Sequence, residues 1–243
     1  VSALGHYIEE EGVATVAISL VRPQTERIKP PRALWVPFEL GRPFGPPNEP
    51  QFQKRVVLAA LRLLDKEAGP VVLADFPDDD PREHPDPAWR APLAKFTLAN
   101  GPADAVANHL ETEIEALDYP YQAFVDRYGR TLVGLSGLTI PEAGRYIAAC
   151  LRGEAPSSPN SEMSAPLTLR FAVDDLKAYY FEAALAGFAK PSSKQLGDWF
   201  WNDTAAGAAI FALRKAHLTS ADERLKAIAG LFLVPGVRVP STG

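Results

Sequence analysis

Six groups of residues in this chain are of types that can do chemistry. Cys150, in YIAACLRGE, is the only cysteine, which excludes an intrachain disulfide framework and a multi-cysteine zinc site. Nucleophilic or redox work would need its thiolate, and nearby in sequence only Arg152 favours one. The alternative is a small buried hydrophobe late on a helix. Arg42 lies in a GRPFG turn, residues 41–45, after an expected strand. There a guanidinium could hold a substrate carboxylate through two parallel hydrogen bonds, because open α/β sheets bind ligands beyond the carboxyl ends of their strands. Plain turn chemistry gives the other reading, a tight Gly/Pro turn with a solvated arginine. Neither GxGxxG nor GxxxxGK occurs, so this is no phosphate loop.

Oxygen ligands gather at Asp78, Asp79, Asp80, Glu83, His84 and Asp86. Their prolines and the lack of a glycine-pivoted ligand spacing oppose an EF-hand-like loop and favour a solvated charge run. His109 and Glu113 share one helical face without forming an HExxH pattern, so no metal is expected there. A helical metalloenzyme built on carboxylates with His109 or His217 is the third functional reading of the chain. GLSG at 134–137 lacks the GxSxG spacing of a nucleophile elbow, which disfavours serine hydrolysis. The sixth group is aromatic: DWFWNDTAAG, residues 198–207, places Trp199, Phe200 and Trp201 around most of a helix. Such a helix is either core or docked on a partner, and Trp199 and Trp201 are the candidate interface residues.

The elements that must position these groups begin with an amphipathic helix over residues 2–11, stopped by Gly12. A β-branched run at 13–20 reads as a strand buried on both faces, as in a parallel sheet. A second strand is expected at 32–38 and a third at 70–76. Between them lies a helix with Asn48 and Gln51 as a capping box and Phe52, Val56, Ala59, Ala60 and Leu63 on its apolar face. Residues 77–92 are too rich in Pro and Asp for regular structure. A helix over 103–128, interrupted near Pro120, follows, and then one starting at TIPEAGRYIAACL with Pro141 in its first turn and Glu142 near the positive end of the dipole. The segment GEAPSSPNSEMSAP reads as the strongest boundary. Three helical patterns at 168–187, 193–217 and 221–232 complete the chain, the last with Ser220 and Glu223 as a capping box.

The fold class is therefore α/β, a layered, mostly parallel sheet with flanking helices followed by a helical C-terminal portion. The expected domains are residues 1–152, a linker at 153–166 and a helical portion at 167–243. The chain has 243 residues, 47% hydrophobic and 23% charged, and a net charge of −5, so it can bury a core but lacks the broad basic footprint of a nucleic-acid binder. No apolar run reaches membrane-spanning length and the lone cysteine suits a reducing compartment, so a cytoplasmic protein off the membrane is expected. Position 1 is Val, and Met163 is the only methionine. A preceding segment carrying the first strand is expected.

LGHYIEEEGVATVAISL, PPRALWVPFELGRPFGPPNEP and QFQKRVVLAALRLL together resemble the C-terminal region of the selenoprotein B family. This family comprises the protein B components of glycine, sarcosine and betaine reductases and the related D-proline reductase subunit. The resemblance covers residues 1–66; beyond residue 100 the chain is similar only to a divergent branch. It implies reductive cleavage of a C–N bond by a selenocysteine or cysteine placed just before the first helix, with a separate pyruvoyl-containing component activating the substrate. That thiol would precede Val1. The helix beginning at Ser2 would stabilise its anion, and Ser2 could donate a hydrogen bond to substrate. The resulting expectation is a component of a multi-subunit thiol- or selenol-dependent reductase, or a homo-oligomer, acting on a small amino acid or derivative. Arg42 and Ser2 are its substrate-binding candidates, and no cofactor of its own is expected. The alternative is a non-catalytic binding or scaffold subunit that keeps the fold.

Overall fold

A computed structural model describes residues 3–67, 71–80, 85–97 and 101–239. The chain is a mixed α/β protein with a small parallel sheet and a helical C-terminal half. It divides into two compact units, residues 1–84 and 85–243.

In unit 1 the order is α1 (Leu4–Glu10), β1 (Ala17–Ser19), α2 (Arg22–Ile28), β2 (Arg32–Trp35), α3 (Pro50–Leu61) and β3 (Val72–Asp75). The three strands pair in parallel in the order β1-β2-β3, with Ile18 level with Leu34 and Leu34 level with Ala74. A parallel pair needs a crossover, and α2 supplies the one from β1 to β2. This helix, unforeseen in the sequence, starts at Arg22-Pro23 and ends at Lys29, whose φ of 53° is left-handed, ahead of Pro30 and Pro31. β1 is half-buried rather than covered on both faces, because it forms one edge of the sheet. Phe52, Val56 and Ala60 of α3 bury against Leu34, Val36 and Phe38. The rings of Phe38, Phe52 and Phe76 stand 5.5–5.8 Å apart in tilted and edge-on pairs. The Asn48–Gln51 capping box is absent: Asn48 is left-handed at φ 61°, and Glu49 takes the cap position without a side-chain capping bond to the helix. Arg32, 6% exposed, reaches from the start of β2 to the Glu9 carboxylate at 2.6 Å and the Lys66 carbonyl at 2.8 Å.

Unit 2 contains α4 (Ala103–Tyr128), α5 (Ile140–Leu151), α6 (Ala165–Ala184), α7 (Ser193–Asp203), α8 (Ala205–His217) and α9 (Glu223–Leu231). Helix α4 runs through Pro120 without interruption. Pro120 removes one backbone donor, yet Leu117 and Phe124 are buried on either side of it and hold both halves to one core. Helices α4, α5 and α6 pack on one another, and α8 packs on α4 and α5. Gly144 lets α5 approach α4, since a Cβ there would run into Ile114.

The expected boundary at 153–166 falls inside unit 2, and the division lies at residues 84/85 instead. Polar contacts tie the segment down despite its composition: the Tyr146 hydroxyl lies 3.1 Å from the Pro156 carbonyl and 3.2 Å from that of Ala165, and the Thr168 hydroxyl donates to Ser158 Oγ at 2.8 Å. The expected 193–217 helix is two helices broken at Thr204, which is extended and accepts from the Gly207 amide at 3.0 Å. Gly207 is required, because a Cβ would run into the Phe200 carbonyl. Asp222, not Ser220, caps α9 by accepting from the Arg224 and Leu225 amides. Thr139 and Glu142 cap α5 reciprocally, with Pro141 in the first turn.

Buried carboxylates organise unit 2. Asp175 of α6 is fully buried and accepts from the amides of Gly134, Leu135 and Ser136 at 2.8–2.9 Å and from the Ser136 hydroxyl at 2.5 Å. About two turns further along, Glu182 accepts from the Thr131 hydroxyl and the Leu132 amide. Glu113 of α4, 5% exposed, accepts from the Ala205 amide at 2.8 Å and the Ala206 amide at 3.3 Å, and from the Tyr180 hydroxyl at 2.9 Å. It thereby satisfies the orphan donors that open α8.

Two consequences are measurable. Asp175→Ala leaves three amides without their acceptor, at a cost of about 3 kcal/mol or more; a loss below about 1 kcal/mol in urea unfolding would mean that the 131–136 loop is held by something else. Burial pushes the Glu113 carboxyl up from its ordinary value, against the Ala205, Tyr180 and Ala206 hydrogen bonds that favour the anion. Its folded-state pKa being raised, its contribution to stability is full below the unfolded value and is lost as pH rises through the folded one. Glu113→Gln removes that titration and should flatten the fall in the urea midpoint above pH 4.5; an unchanged slope would assign the pH dependence elsewhere.

Candidate functional site

Helices α4 and α5, together with Tyr179 of α6 and the loop before α5, enclose a cleft of about 650 Å³ in unit 2, a volume suited to a small molecule. Its floor is apolar: Ile114, Ile140 and Tyr179 are buried, and Val133 and Tyr121 are half-buried. The rings of Tyr121 and Tyr179 lie 4.7 Å apart. Both hydroxyls are engaged, Tyr179 donating to the Ile114 carbonyl at 2.6 Å and Tyr121 bonding Thr131 Oγ1 at 3.0 Å.

The charged lining comes from two helices. Glu111, Glu115 and Asp118 project from one stripe of α4 at positions i, i+4 and i+7, and Arg145 comes from α5. Asp118 is near enough to help push the Tyr179 phenol up, although burial does most of that. Glu142 is committed to the α5 cap and feels the Arg145 charge. Among the described residues Glu111, Glu115, Asp118 and Arg145 form no ion pair. Like charges one turn apart cost a helix about 0.2–0.5 kcal/mol, so this stripe favours a cation. Arg145, from α5, offers the same cleft a partner for an anion.

A second cleft of about 310 Å³ brings together Tyr146, Cys150, Glu154, His217 and Asp222. Its thiol is inert. Burial pushes the Cys150 thiol up to about 11, and the nearby Glu154 charge adds to the effect. Burial also lowers the His217 imidazole below its ordinary value, so near neutral pH it adds no positive charge that would favour a thiolate.

The sequence-derived candidates are dispersed by the fold. Ser2 lies outside the described residues, as do Glu83 and His84. The helix expected to begin there is short, seven residues from Leu4, and none of its residues is buried. Arg42 is half-exposed, 3.5 Å from Glu39 three residues back. Its turn is shaped by Gly41 and Gly45, at φ 89° and 83°, and a Cβ on Gly45 would run into the Phe52 ring. Trp199 and Trp201 are 3% and 7% exposed and belong to the core of their own unit rather than to a docking surface. They pack edge-on or tilted against Trp89, Tyr180 and Phe211.

The described members of the acidic loop have separate partners within their own units. Asp78 pairs with Arg55 at 3.0 Å in unit 1, while in unit 2 Asp86 accepts from the Ala88 and Lys190 amides and exchanges backbone bonds with the Gln195 side chain. The His109 ring stands 4.9 Å from Phe96, and Glu113 caps α8. Among the described residues no group of three or more His, Cys, Asp or Glu could hold a metal ion, and no helix is long and apolar enough to cross a membrane. Ser136 of GLSG is buried against Asp175.

The α4 stripe was legible as a spacing, since Glu111, Glu115 and Asp118 fall on one helical face. Arg145 is 27 or more positions away, and only the α4–α5 packing makes the two a site. No family model matches the chain, and neither a curated protein nor a solved structure does.

The state of the thiol can be measured. At pH 7.5 an alkylating reagent should label Cys150 far more slowly than a free cysteine, with fast labelling only after unfolding, because little thiolate exists well below a pKa of about 11. Rapid labelling of the folded chain would contradict the half-buried, unactivated thiol.

Proposed function

We propose that this chain is a substrate-binding component of a thiol- or selenol-dependent reductase that cleaves a C–N bond of a small amino acid or derivative in the cytoplasm. The observation that carries this reading is the α4–α5 cleft, whose carboxylates and Arg145 suit the two ends of an amino acid. The resemblance at residues 1–66 adds to it: those residues fall within unit 1, where β1 and β2 are parallel neighbours and the Gly-Arg-Pro turn follows β2. In this reading unit 1 is a layered α/β unit that seats the chain among the other reductase subunits or a second copy of itself.

Cys150 is not the redox group of such an enzyme, given its burial and raised pKa. The electrons come from a thiol or selenol on another segment or subunit, and this chain binds and orients. That assignment joins the reductase reading to its alternative of a binding subunit: the chemistry is done elsewhere, and the substrate is held here.

The test is to isolate the complex that contains the full natural chain and supply a dithiol reductant with candidate amino acids. Amine or ammonia release that stops on alkylation of a rapidly reacting thiol or selenol, with Cys150 unlabelled, is the expected result. A complex with no rapidly reacting thiol or selenol and no such release would overturn the proposal.

A further inference from the structure

We infer that the α4–α5 cleft selects an amino acid with a cationic side chain, of the lysine, ornithine or arginine class. This rests on the reading of the cleft as the amino-acid site and adds the substrate class. The argument begins with charge. The lining carries Glu111, Glu115 and Asp118 against Arg145. An amino acid with a neutral side chain brings one ammonium and one carboxylate, which match Arg145 and part of the stripe and leave the rest of it uncompensated. A basic amino acid brings a second cation. Its carboxylate meets the Arg145 fork, and its two cationic groups meet the α4 stripe. Each ammonium has three donors, so one group can bridge carboxylates a single turn apart and remove their mutual repulsion.

The floor fits the rest of such a ligand. An aliphatic stem of three or four methylenes buries well on apolar surface while its charged tip stays at the rim, and Ile114, Val133 and Ile140 provide apolar surface in the same cleft. The half-buried Tyr121 ring lines the same cleft and adds aromatic surface near which a cation is favoured. Because the Tyr121 and Tyr179 hydroxyls are already engaged, the floor presents their rings rather than new polar partners. A diamine of the same length would satisfy α4 equally and leave Arg145 without an anion, so the guanidinium distinguishes an amino acid from a polyamine.

The experiment is isothermal titration calorimetry of the full chain with L-lysine, L-arginine, glycine, L-proline and cadaverine. It is repeated on Arg145→Ala and on the double variant Glu115→Gln/Asp118→Asn. These side chains are exposed, and circular dichroism confirms that each variant keeps its fold. L-lysine or L-arginine should bind at least about tenfold more tightly than glycine and L-proline, and each variant should weaken them about tenfold, the scale of one charged hydrogen-bonded partner. Equal or tighter binding of glycine or L-proline overturns the basic class while leaving the cleft as an amino-acid site. Cadaverine binding as tightly as L-lysine, with Arg145→Ala silent, overturns the role of Arg145 and the amino-acid assignment. No binding of any of these at millimolar concentration overturns the inference together with the cleft reading on which it rests.

Discussion

The helical half of this protein depends on carboxylates buried where backbone amides can meet them. Asp175 is fully buried, yet the Gly134, Leu135 and Ser136 amides and the Ser136 hydroxyl surround it. A buried charge without such partners would cost several kcal/mol, and amides in a tight loop would be equally costly without an acceptor. Each side of the contact solves the problem of the other. The same exchange occurs at Glu113, whose carboxylate meets the amides that open α8 while the Tyr180 hydroxyl takes up further acceptor capacity.

These contacts determine where the cleft lies. Asp175 and Glu182 hold the loop that leads from α4 back to α5, and that loop carries Val133 to one wall. Thr139 and Glu142 then fix the start of α5, and Gly144 allows α5 to close on Ile114. Arg145, one residue beyond that close approach, is placed by the same packing. The exposed charges are therefore set on a frame made of buried polar contacts and apolar side chains, so a ligand would find its partners already positioned, which lowers the ordering cost of binding.

Unit 1 rests on a different balance. Its core is small, three phenylalanines and a few aliphatic residues against three short strands. The Glu9 carboxylate, which accepts from the Thr15 amide and hydroxyl and from Arg32, ties α1 to the start of the sheet even though no residue of α1 is buried. Its position below the ordinary carboxylate range reflects the Thr15 and Arg32 hydrogen bonds prevailing over the opposing effect of burial. At the other end of the strands, Arg22 lies over the Trp35 ring and pairs with Asp75 and Glu26. The sheet is thus clamped at both ends by arginines, one buried and one half-exposed.

The sequence by itself determined what local forces decide. Hydrophobic runs placed the three strands, and Pro141 with Glu142 marked the start of α5 through capping that acts within four residues. The Glu111, Glu115 and Asp118 spacing defined a charged stripe wherever α4 is helical. Only the tertiary structure decided the rest. The α2 crossover, the passage of α4 through Pro120 and the break at Thr204 follow from burial on distant partners, which outweighs local propensity. The proline-rich segment 153–166 joined the helical unit because Tyr146 and Thr168 supply polar contacts that its composition does not reveal. The tryptophans of α7 went into the core of their own unit, where packing decided between core and interface. Arg145 met the α4 stripe, and Asp175 met the 134–136 amides, across separations at which a chain carries no pairing signal until packing brings the groups into reach.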